Sequence, residues 1–174
     1  MLGPCWRDGT YAGTPSYDAS EYVSRDLEGW LERGLSGKYL TDDELAIVRA
    51  ARSLIPAFEG ERPVPCQRDY CPANWLVTGE GLWAGVIDFE FAYWDVRVAD
   101  FIRYPDWDWM NRPDLVEAFF EGYGRSLTPQ EEGQRLFAHA LYALSAIVWG
   151  NENAYYVFAA EGRQALKHLA ELLG

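Results

Sequence analysis

Apolar residues recur along this chain with two different periods, and the change of period divides it. From Ser20 a stripe of Tyr22, Val23, Leu27, Trp30 and Leu31 keeps helical spacing and stops at Gly34. A second helical stripe opens on a capping box, Thr41 with Glu44, and carries Leu45, Val48, Ala51, Leu54 and Ile55 up to Pro56. These two predicted helices fill residues 20–58. The lead-in before them, residues 1–19, is punctuated by Gly3, Pro4, Gly9, Gly13 and Pro15 and predicts irregular chain. The period then shortens. Residues 74–78 and 82–88 are short runs rich in β-formers, separated by Gly79-Glu80-Gly81, and predict a hairpin. Beyond Val98 helical spacing returns. Leu115, Val116, Phe119, Phe120 and Tyr123 form one stripe, and Thr128, Pro129 and Glu131 open a long helix carrying Leu136, Phe137, Ala140, Leu141, Leu144, Ile147 and Val148. A last helix is predicted from about Asn153 to Leu173. The fold class expected is mainly α (α+β): a helical bundle with a small central hairpin.

Composition narrows the function. The 174 residues suffice for a single domain over 1–174, and 49% hydrophobic with 16% aromatic residues provides ample material for a core. Acidic residues outnumber basic ones 27 to 15, a net charge of −12, which argues against nucleic acid and against an anionic membrane surface. No apolar run approaches the ~18–20 residues of a membrane span, and the N-terminus has no signal-peptide pattern, so a cytoplasmic location is expected. Cys5, Cys66 and Cys71 are too few for a disulfide framework. With only His139 and His168 besides, a zinc site is not expected either.

The candidate chemistry lies in Cys66-Gln67-Arg68-Asp69-Tyr70-Cys71-Pro72-Ala73-Asn74 and in Ile87-Asp88-Phe89-Glu90. A hairpin brings its outer ends together, so Asn74 and Asp88 are expected side by side with Asp69 on the preceding loop. Three oxygen-bearing side chains at one sheet end suit Mg²⁺, which prefers carboxylate, amide and phosphate oxygens.

This segment resembles the aminoglycoside phosphotransferase and choline kinase family, whose pattern is His-x-Asp-x-x-x-x-Asn followed by Ile-Asp-[Phe/Trp]-Glu. Asp95-Val96-Arg97-Val98-Ala99-Asp100-Phe101 is similar to the same family's Gly-Asp-Pro-x-x-Asp-Leu run. The resemblance is close over residues 66–101. It implies a kinase-like C-terminal lobe that transfers the γ-phosphate of ATP, with Mg²⁺, to a hydroxyl of a small, amine-bearing, aminoglycoside-like molecule. It makes Asp69 the catalytic base, Asn74 and Asp88 the metal ligands, and Asp95 and Asp100 supports of the loop. Glu90 would face the substrate. Gln67 stands where the family has histidine, and its amide can donate and accept in the same strut.

Two aromatic and acidic clusters are candidates for the acceptor, Asp106 with Trp107 and Trp149 with Glu152, because carboxylates beside aromatic faces bind ammonium groups. No nucleotide-binding lobe is legible in the 65 residues before the loop, and Lys38 and Lys167 do not sit in a strand pattern that would hold phosphates. The expectation is a C-terminal lobe only, with residues for nucleotide binding unassigned. Either the rest has been removed, or it lies on a second chain that supplies the missing lobe, or this lobe works without it. Two alternatives remain open: a non-catalytic scaffold derived from such a lobe, and a kinase-like component that modifies a peptide.

Overall fold

The computed structural model describes residues 1–6, 8–103, 107 and 112–173. The fold is mainly α with two small antiparallel sheets. Helix α1 spans Ala19–Ser36; the Asp18 carboxylate accepts the Glu21 N–H at 2.8 Å and starts it, and Tyr22, Val23, Leu27 and Leu31 form its buried face. Helix α2, Asp42–Ala51, begins with the expected capping box, in which the Glu44 N–H donates to Thr41 Oγ1 and the Thr41 N–H donates to Glu44 Oε2. It is shorter than the apolar stripe suggests. From Arg52 to Phe58 the chain tightens into a 3₁₀ helix, because Pro56 has no N–H to give to the carbonyl four residues back and its ring crowds that carbonyl.

Strands β2 (Trp75–Val77) and β3 (Trp83–Val86) make the expected hairpin with Trp75 opposite Val86, and Gly81 turns it at φ +79°. A second pair was not anticipated: β1 (Val64–Cys66) lies antiparallel to β4 (Tyr93–Asp95). The lead-in adds to its edge, since the Gly3 N–H donates to the Trp94 carbonyl at 3.0 Å and Leu2 is fully buried. Strands of three residues, the first of them containing Pro65, offer too short an alternation to read from sequence.

Helix α3, Pro113–Tyr123, ends at Gly124 in the left-handed conformation, φ +83°. Helix α4, Pro129–Glu152, is the axis of the molecule and packs against α1, α2, α5 and the 3₁₀ helix 52–58. Helix α5 runs Tyr156–Leu173 and starts later than the predicted Asn153, because Ala154 takes φ +55° to reverse the chain. The core gathers Leu27, Val48, Leu144, Ile147, Leu166 and Leu169, with Phe58 edge-on to Phe137 at 5.2 Å. Among the described residues no helix is long and apolar enough to cross a membrane.

Candidate functional site

The loop between β1 and β2 is fixed by its own side chains. Asn74 is buried, and its Nδ2 donates to the Asp69 carbonyl at 2.9 Å and to Asp69 Oδ2 at 2.8 Å, closing the loop over the short 3₁₀ turn Pro72–Asn74. Asp69 Oδ1 faces Arg103 Nη1 at 3.3 Å, so each carboxylate oxygen has a donor and the group is aimed. Gln67 bridges two segments: Oε1 accepts the Asp69 N–H at 2.9 Å while Nε2 donates to the Asp88 carbonyl at 2.7 Å and the Ile87 carbonyl at 3.3 Å. The hairpin brings the Ile87 N–H to the Asn74 carbonyl at 2.9 Å. Asp69, Asn74 and the backbone of Asp88 therefore form one hydrogen-bonded unit. The Asp88 side chain is exposed, and its backbone leaves the strand at φ +60°.

Below the loop lies a buried polar layer. Arg68 adopts φ +68°, a left-handed conformation uncommon for any residue with a Cβ, and two carboxylates hold it there. Asp100 Oδ1 accepts its N–H at 2.7 Å, and Asp95 Oδ2 pairs with its Nε at 2.7 Å. The guanidinium lies 4.1 Å over the Tyr93 ring, and the Tyr22 hydroxyl meets Tyr93 Oη at 3.3 Å and Asp95 Oδ2 at 3.5 Å. Burial pushes the Asp95 carboxyl up to about 6, although Arg68 and the Val96 N–H pull it down. Burial also raises Asp100, the Tyr22 and Tyr93 phenols, and the Cys66 thiol, the last to about 12, so that thiol is inert at neutral pH.

A cavity of about 420 Å³ opens beside this layer, with Asp69 and Arg68 on its wall. Helix α1 contributes Val23, Asp26 and Trp30; α4 contributes Phe137, Leu141, Tyr142, Ser145 and Trp149; Phe91 and Phe158 complete the apolar side. Residues 23, 26 and 30 share one face because a helix repeats every 3.6 residues.

Of the substrate-side residues expected from sequence, Trp149 lines this cavity. Trp107 does not; it is buried in the core against Tyr142 and Phe158, with ring centroids at 5.1 and 6.0 Å. Glu152 forms a surface ion pair with Arg33, and Glu90 is exposed in the turn after β3. Asp106 lies outside the described residues. Sequence reasoning passed over Asp26, Trp30, Arg68 and Arg103. The available signal was Asp26 itself, a carboxylate set one turn before Trp30 inside an otherwise apolar stripe.

The donor set near the loop suits a hard divalent cation. Because Asn74 directs its amide nitrogen at Asp69, its Oδ1 remains as an acceptor, and the exposed Asp88 carboxylate supplies the same chemistry. Among the described residues no group of three or more His, Cys, Asp or Glu is placed to hold a metal ion.

The fold is mainly helical, and its β1–β2 loop holds Asp69 at the wall of a pocket, bonded to Asn74 and joined through Gln67 to the backbone of Asp88. The family model described as the phosphotransferase enzyme family matches residues 8–137, and the chain belongs to that family. A search of curated proteins returns no match.

Proposed function

We propose that the chain is the acceptor-binding lobe of an ATP- and Mg²⁺-dependent phosphotransferase acting on a hydroxyl of a small, amine-bearing molecule. The observation that carries this reading is Asp69, oriented by Asn74 and Arg103 at the wall of the cavity. In such a reaction the enzyme positions the groups and balances charge more than it performs covalent chemistry. An acceptor seated in the cavity would present its hydroxyl to Asp69, which would orient it and take its proton as the bond to phosphorus forms. Asn74 Oδ1 and Asp88 would hold the metal, whose charge offsets that of the phosphates when bound. Asp95 and Asp100, through Arg68, would keep the loop in register.

The nucleotide lobe would come from outside these residues. Supporting this, the chain before β1 is helical apart from its bridged lead-in, and Lys38 and Lys167 lie after α1 and within α5. The hairpin meanwhile exposes Leu76, Val77, Leu82, Trp83, Ile87 and Phe89, a surface that a second lobe would cover. Calorimetric titration of ATP in the presence and absence of Mg²⁺ tests the reading. Binding should depend on the metal and disappear in Asp88→Ala. Absence of any metal-dependent binding, with the nucleotide lobe supplied, would instead favour a non-catalytic scaffold.

A further inference from the structure

The cavity's lining chooses among acceptors more narrowly than the family does. Three carboxylates, Asp26, Asp69 and Asp95, and one guanidinium, Arg68, face it. Two of the carboxylates are committed: Asp95 to Arg68 at 2.7 Å and Asp69 to Arg103 at 3.3 Å. Asp26 is different. Among the described residues no basic side chain lies within ion-pair distance of it, and it sits half-buried on the cavity face of α1 one turn before Trp30. Burial raises its carboxyl above the usual range, with Arg68, Arg25 and the Trp30 indole N–H only partly offsetting that. A cation placed beside it would restore the balance.

The remaining wall is chiefly carbon, with the rings of Trp30, Phe91, Trp149 and Phe158 prominent. Such a wall offers few partners to hydroxyls and amines, and a polar group buried without one is penalised. Aromatic faces do suit an apolar body and the flank of an ammonium group. The volume is in the range for small organic ligands.

We propose that this site takes a compact amino alcohol with one ammonium group and an apolar body, the ammonium paired with Asp26 and the hydroxyl at Asp69, and that it disfavours polycationic aminosugars. Only the role of the hydroxyl rests on the phosphotransfer reading. The charge count and the wall fix the rest.

Calorimetry on the 174-residue chain, without nucleotide or metal, tests this with four probes. They are 2-amino-1-phenylethanol, its uncharged counterpart 1-phenylethane-1,2-diol, ethanolamine, which lacks the ring, and a tetra-amino aminosugar. The phenyl amino alcohol should bind at least tenfold more tightly than each of the others. In Asp26→Asn the preference for amine over diol should shrink to within twofold, and in Trp149→Leu the advantage over ethanolamine should fall several-fold. Tightest binding by the aminosugar, equal binding of amine and diol to the wild-type chain, or no binding of the phenyl amino alcohol would overturn the proposal. The wild-type series decides the matter even where a variant fails to fold. A chain that binds the amino alcohol through Asp26 yet never phosphorylates it, with the lobe supplied, would contradict the phosphotransfer reading alone. Phosphorylation of an acceptor that the amino alcohol does not displace would sink this proposal alone.

Discussion

Gln67 joins the two halves of the candidate site through three hydrogen bonds, to the Asp69 N–H and the Ile87 and Asp88 carbonyls, from a side chain only 8% exposed. Replacing it by Leu preserves bulk but leaves part-buried backbone groups of Asp69, Ile87 and Asp88 without these partners, which costs about 1–3 kcal/mol. Urea denaturation of Gln67→Leu should show a loss of that size, whereas unchanged stability would mean that the bridge does not hold the loop. Asp95 makes its own contribution to the pH dependence of stability. Its carboxyl is raised by burial to about 6, so between the ordinary carboxylate range near pH 4 and pH 6 the folded chain binds a proton that the unfolded chain has released. Its contribution to stability is therefore full below about pH 4 and is lost as pH rises through 6. The stability difference between wild type and Asp95→Asn, followed by thermal melts from pH 4 to 7, should shift in that direction; a difference independent of pH would contradict the assignment. At this scale the loop was legible because Asp69, Asn74 and Asp88 occur in a compound spacing that few turns share. Arg103 and Asp26 were not, because their roles depend on which helix face or turn meets the cavity, and a single charged residue carries no such information.

The helices announced themselves through caps and periods. Both capping boxes, Thr41 with Glu44 and Thr128 with Glu131, form as the spacing predicts, because the orphan N–H groups of a first turn need those acceptors wherever the helix packs. Sequence failed where the local signal was short or overruled: β1 and β4 have three residues each, and the 3₁₀ helix over 52–58 continues an apolar stripe with the wrong pitch. The contact between α4 and α5 depends on Gly162. A Cβ built there would lie 2.8 Å from the Ala143 carbonyl oxygen and 3.0 Å from Ile147 Cγ1. Alanine gains about 1 kcal/mol of helix propensity over glycine, but forcing the helices apart costs about 1–3 kcal/mol. Gly162→Ala should lower the melting temperature. An increase would show that the two helices are not in close contact at this point.

At the scale of the molecule, α1 and α4 enclose a carbon-walled cavity and the β1–β2 loop lies against it. That α1 faces α4 across the cavity is a consequence of tertiary packing, so apart from Trp149 the cavity wall was not legible in the sequence. Trp107, which sits in an acidic and aromatic run, is instead core. The proposed division of labour, an acceptor pocket here and a nucleotide lobe supplied from outside these residues, makes Asp69 the point where the two substrates meet. The most direct measurement is the rate of ATP-dependent phosphorylation of a hydroxylated amine by the chain together with its nucleotide lobe, compared between wild type and Asp69→Asn. The reading predicts a fall in kcat of about 10²–10⁴-fold with KM little changed, the size expected for a lost catalytic base. A variant that keeps its rate within about tenfold would place the chemistry elsewhere.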